Sequence, residues 1–180
     1  VTAFITAHIA IDICNDNGAA ASVEFFPPIM ERFGLMGELT DDEKIYFDLS
    51  ECENISKDEA YQMQWRIEMC VPLFWACGFM KKLDFPDEMT DTVEQIRLIG
   101  GCEDFGELMS HVKMRTASEI LDNADAVYRM DWACVEARLR NDNSLLGRLN
   151  SDVVVEQHKG FNWLIGAYEA EDWDTVAPHT

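Results

Sequence analysis

Three helix-capping signatures constrain this chain more than any other feature. Thr40-Asp41-Asp42-Glu43, Ser56-Lys57-Asp58-Glu59 and Thr116-Ala117-Ser118-Glu119 each set a hydroxyl three residues ahead of a glutamate. In such a box the hydroxyl accepts the N–H of the glutamate while the carboxylate reaches back to the hydroxyl residue's own N–H, so both orphan donors of a first turn are satisfied. The first box predicts a helix through about Leu49. The second predicts the longest apolar helix, to about Phe79, kinked near Glu68 to Pro72 because Pro72 lacks a donor and crowds the preceding turn. The third predicts a helix to about Arg140.

The segments between these starts fit the same pattern. Phe4 to Cys14 carries Phe4, Ile5, Ile9, Ile11 and Ile13 among alanines and reads as helix. Pro27-Pro28 suits the first turn of a short helix to Phe33, with Gly34 and Gly37 as stops. Shorter helices are expected over Glu88 to Leu98 and Glu103 to Val112, and a last one over Ser151 to Tyr168. On the Thr116 helix, Leu121, Asp125, Tyr128, Trp132, Val135 and Leu139 follow one another at steps of four and three, which reads as a core seam. No hairpin signal interrupts the series. The expected fold is all-α, a compact bundle of about six to eight helices in a single domain over 1–180, with a short acidic C-terminal tail anchored by Trp173. The chain opens at Val1 and not Met, so part of its N-terminal portion is expected to be missing.

Charge narrows the function. The net charge is -20. Nine acids lie between Glu38 and Glu59 against Lys44 and Lys57, five lie between Asp84 and Glu94, and four lie between Glu169 and Asp174. Such a surface repels phosphate backbones and anionic bilayers, so neither nucleic acid nor membrane is an expected partner. No apolar run approaches the roughly 20 residues of a membrane span. Cys14, Cys52, Cys70, Cys77, Cys102 and Cys134 show neither Cys-x-x-Cys nor zinc-finger spacing, and read as reduced thiols in a cytoplasmic protein. His8, His111, His158 and His179 are scattered. No His-Glu-x-x-His, phosphate loop or nucleophile elbow occurs. No metal and no cofactor is expected.

Four of the five tryptophans stand beside Arg, Glu or Asn, in Trp65-Arg66-x-Glu68, Trp75-Ala76-x-Gly78, Tyr128-Arg129-x-x-Trp132-Ala133 and His158-x-x-x-Asn162-Trp163. Together with Arg115, Glu119-Ile120-Leu121-Asp122, Asp125, Val154-Val155-Glu156 and Trp173-Asp174, these motifs resemble the domain-of-unknown-function family 4272 over roughly Thr40 to the C-terminus. The resemblance implies a soluble helical domain and brings no reaction, substrate or cofactor. Three departures mark this chain: Gln157 replaces a base, Gly160-Phe161 replaces Ala-Leu, and the segment before Thr40 matches poorly.

The polar members of these motifs admit two readings. In one, Arg66, Glu68, Asp125, Arg129, Glu156, His158 and Asn162 form a buried structural network under an aromatic core of Trp65, Trp75, Tyr128, Trp132 and Trp163. Arg129→Ala would then cost ~3–5 kcal/mol, the cost of orphaning a buried ion. In the other, Glu68, Arg129, Glu156 and His158 meet in a wet pocket as the acid, base and anion-holding groups of a small-molecule hydrolase or transferase. The leading expectation is non-enzymatic: an acidic regulatory or immunity-like module that docks a basic protein partner. A scaffold piece of a larger protein is a third reading, and it would leave an apolar patch over Val1 to Cys14.

Overall fold

The computed structural model describes residues 1–15, 19–167 and 172–179. Its α-helices, in chain order, are α1 (Thr2–Cys14), α2 (Ala19–Phe33), α3 (Asp41–Lys44), α4 (Leu49–Cys52), α5 (Lys57–Gln64), α6 (Arg66–Ala76), α7 (Val93–Gly101), α8 (Phe105–Ser110), α9 (Ala117–Arg140) and α10 (Ser151–Ile165). No strand occurs among the described residues, so the fold is all-α. The helix count exceeds the expected six to eight because two predicted helices are each divided. The Thr40 helix breaks into α3, a 3-10 turn over Ile45–Phe47, and α4. The Ser56 helix breaks at Trp65, ahead of Pro72, into α5 and α6.

The chain forms two compact units, one of residues 1–67 and 93–111, the other of residues 68–92 and 112–180. In the first unit α1 is the central helix. Ala3, Phe4, Ile5, Thr6, Ala7, Ile9 and Ala10 are all buried, nearly the whole circumference, and α1 packs against α2 and α5. A helix apolar all round belongs inside. The apolar patch expected over Val1 to Cys14 is therefore absent; that segment is core. His8 stacks edge-on against Phe4 at 4.6 Å, and burial pulls its pKa down to about 4, against the opposing pull of Asp12, so it packs as a neutral aromatic ring.

Pro27 and Pro28 do not open α2 but lie inside it. The two missing ladder bonds are tolerated because Val23, Phe26, Ile29, Met30 and Phe33 bury one face on both sides of them. All three capping boxes form as the sequence implies. In the first, Glu43 is fully buried and its pKa is raised by that burial. All six cysteines are free thiols, and burial pushes the pKa up at Cys14, Cys52, Cys77, Cys102 and Cys134. Thiols held protonated in this way are poor nucleophiles.

The second unit is built on α6, α9 and α10. Trp75, Ala76, Ala124, Val127 and Phe161 form its core cluster, with Met80, Leu83, Ile120 and Leu164 packed around it. Arg115 closes the end of α6. Its guanidinium donates to the carbonyls of Trp75, Met80 and Lys81 at 2.8–3.0 Å and lies over the Trp75 ring at 4.5 Å. The Trp75 carbonyl belongs to the last turn of α6, where a helix leaves carbonyls without i+4 partners, and those of Met80 and Lys81 to the loop that follows. Gly78 ends α6 at φ +81°, where any side chain would meet the Lys113 carbonyl oxygen at 2.6 Å. The predicted helix from Glu88 begins only at Val93, because Glu68 claims the Thr90 N–H and hydroxyl and holds that stretch out as loop.

Candidate binding groove

The α9 seam faces the other way from its prediction. The buried face of α9 is Ala124, Val127, Asp131, Cys134 and Ala137. Leu121, Tyr128, Trp132 and Leu139, expected in the core, are exposed, Trp132 by 55% and Tyr128 by 40%. Small residues decide this: Ala124 and Ala137 let α9 approach α10 closely, where Val153, Val154, Gln157, His158 and Phe161 are buried. Among the described residues, nothing covers most of the outward stripe of large side chains.

The polar residues singled out from sequence do not form one network. Arg66 belongs to the first unit and pairs with Asp42 at 3.2 Å beside a hollow of about 350 Å³ lined by Tyr46, Glu59 and Met63. Glu68 is fully buried in the second unit, where its oxygens accept the Thr90 N–H at 2.6 Å, the Thr90 hydroxyl at 3.0 Å and the Gln157 amide at 3.0 Å. Asp125 and Arg129 pair only with each other, at 2.8 Å, on the solvent face of α9. Glu156 pairs with Lys159 at 2.5 Å. Asn162 gives its amide to the Ala177 carbonyl at 3.0 Å and so fastens the tail to α10. Of the expected aromatic core, Trp75 is buried and Trp65 half-buried. Tyr128, Trp132 and Trp163 are exposed, Trp163 meeting Trp173 edge-to-face at 5.3 Å. Tyr168, expected on the buried face of the last helix, lies outside the described residues.

The exposed Asp125–Arg129 pair changes the expectation for Arg129→Ala. An i,i+4 pair in water contributes ~0.3–0.5 kcal/mol, not the 3–5 of a buried one. The variant is expected to melt within about 1–2 °C of the parent by calorimetry, since small stability changes translate into small Tm shifts at this chain length.

His158 is the one titratable member of the set that joins burial to a cavity. Its Nδ1 lies 2.7 Å from an Asp131 oxygen, both side chains being 2% exposed, and its ring meets Tyr128 edge-to-face at 5.6 Å. It also lines a groove of about 280 Å³ between α9 and α10, with Leu121, Ala124, Asp125, Tyr128, Asn162, Ile165 and Ala167 as the other walls. Asp131 was missed in the sequence because it lies on the small-residue face of α9 and not on the aromatic stripe. Its signal was there: Ala124, Val127, Asp131 and Cys134 also follow steps of three and four. Among the described residues no group of three or more His, Cys, Asp or Glu stands close enough to hold a metal ion, and no helix is long and apolar enough to cross a membrane.

The fold and site thus define an all-α protein whose second unit presents an uncovered aromatic helix face. The model of the DUF4272 family, a domain of unknown function, matches residues 3–176, and the chain belongs to that family. The match extends to the segment before Thr40, which the motifs alone had left out. No curated protein and no solved structure is significantly similar to it.

Proposed function

We propose that this protein is an acidic, non-enzymatic binding module that docks a basic protein partner through the outer face of α9. The observation that carries the reading is the uncovered stripe of Leu121, Tyr128, Trp132 and Leu139. Exposed large apolar side chains aligned on one helix face are what interfaces use as anchors, with Trp and Tyr foremost. The net charge of -20 sets the sign of the partner and disfavours nucleic acid and anionic membranes. Six free thiols fit a reducing compartment, and we take the cytoplasm as its place.

A reaction carried by Glu68, Arg129, Glu156 and His158 draws little support. Glu68 is saturated by three neutral donors, Arg129 and Glu156 have their own ion-pair partners, and only His158 lines the groove.

The test is to capture the partner from the native host, purify it and titrate the defined pair. Raising salt from about 0.01 M to about 0.15 M shortens the Debye length from roughly 30 Å to roughly 8 Å. Affinity is expected to fall at least about tenfold, because steering and specificity reside in the charges. Trp132→Ala is expected to weaken binding a further ~10-fold or more while leaving Tm unchanged, as for an exposed interface anchor. Affinity indifferent to both salt and Trp132 would overturn the proposal.

A further inference from the structure

The groove beside the stripe has a chemical bias. Two of its walls can receive a cation, the Asp125 carboxylate and the face of Tyr128. Asp125 is a carboxylate whose Oδ2 takes Arg129 Nε, leaving Oδ1 for a second donor. Asn162 gives one amide N–H to Ala177, and its carbonyl oxygen is an acceptor. His158 lies at the back of the groove, 2% exposed, with Nδ1 2.7 Å from the Asp131 carboxylate. Tyr128 adds a half-exposed aromatic ring on the same wall. Leu121, Ala124 and Ile165 supply apolar sides that suit a methylene stem. At about 280 Å³ the groove lies at the small end of ligand cavities, with room for one long side chain.

We infer that this groove receives an arginine side chain of the basic partner, the guanidinium on the Asp125 carboxylate and the Asn162 carbonyl oxygen beside the Tyr128 ring, and the stem along Leu121 and Ile165. The inference rests on the binding reading above and names what that face recognises. A flat fork of N–H donors beside an aromatic ring suits a carboxylate and an amide oxygen better than an ammonium does. Arg129 already offers a guanidinium to Asp125 from the same helix, so it competes with the incoming one.

The probe is a capped pentapeptide with a single central arginine, titrated into the full chain and followed through the backbone amide signals of residues 121–128 and 158–165. Saturable shifts are expected. The same peptide with citrulline, which keeps the shape and loses the charge, is expected to bind at least ~10-fold more weakly, as is Asp125→Asn with the arginine peptide. Arg129→Ala is expected to tighten binding ~2- to 5-fold by removing the internal competitor, an effect that a merely structural role for Arg129 would not produce. Equal binding of citrulline and arginine, weaker binding by Arg129→Ala, or free arginine amide binding as tightly as the peptide would each overturn the inference. If the purified partner still binds with steep salt dependence and through Trp132 while the arginine peptide fails, the groove assignment falls and the binding module stands. If the arginine peptide binds as expected and the partner does not respond to salt or to Trp132→Ala, the proposed function falls and the groove remains an arginine site.

Discussion

Glu68→Ala is expected to be among the most damaging single substitutions in the second unit, lowering stability by ~3–5 kcal/mol through the loss of a buried group with several hydrogen bonds. At this chain length that corresponds to a fall in Tm of roughly 6–20 °C by calorimetry. The carboxyl group is fully buried and receives three donors from two separate segments: the N–H and hydroxyl of Thr90 in the loop before α7, and the amide of Gln157 on α10. Truncation removes every acceptor at once and leaves those donors inside the protein, each a desolvated group with no partner. Glu68→Gln keeps one carbonyl oxygen but turns an NH₂ toward N–H donors, so it should lose about half as much. A Glu68→Ala variant that melts with the parent would show that the three bonds contribute nothing net. Amide exchange sharpens the test, because loss of protection should reach Thr90 and its neighbours in the loop.

Among the described residues, Gln157 is the one partner of this carboxyl group that comes from α10: its amide donates to Glu68 at 3.0 Å.

What was legible in the sequence was local. The three capping boxes, the αL stops and the all-α class depend on residues a few positions apart, and each formed where its residues stood. Asn141 ends α9 at φ +51°, where Asn carries little penalty, whereas the last helix, expected to reach Tyr168, already ends at Ile165 with Gly166 at φ +63°. The facing of α9 was not legible, because two stripes share that helix at equal spacing. One is large and aromatic, the other small and interrupted by Asp131. Hydrophobic size pointed to the first, yet close helix packing favours the second, and a buried His158 on α10 made Asp131 affordable. The candidate site was legible only in part for the same reason. His158 and Asp125 were named, but their grouping with Tyr128 and Asn162 in one groove depends on how α9 meets α10, which no spacing within either helix encodes.

Gly160→Ala gives the second large effect, and its sign separates local from tertiary physics. By helix propensity alone alanine should stabilise the interior of α10 by roughly 0.5–1 kcal/mol. The packing predicts the reverse. A Cβ at 160 would clash with the Met69 carbonyl oxygen and meet Pro72 Cγ at 3.2 Å, both on α6. The first is backbone, which cannot swing aside as a side-chain tip would. Overpacking against such an obstacle costs ~1–3 kcal/mol or more, enough to outweigh the propensity gain. A net loss of about 2 kcal/mol and a Tm lower by roughly 4–8 °C are expected. Beside it, fully buried Phe161 meets Trp75 of α6 edge-to-face at 6.1 Å, so both positions pack against the same helix. Substitutions at the two should therefore be coupled. Gly160→Ala with Phe161→Leu is expected to lose less than the sum of the single losses, by at least ~0.5 kcal/mol, as for residues sharing one packed contact. Strict additivity in a thermal-melt cycle would mean that the two positions adapt independently, and a Gly160→Ala variant more stable than the parent would show that α6 can retreat from α10 at no cost.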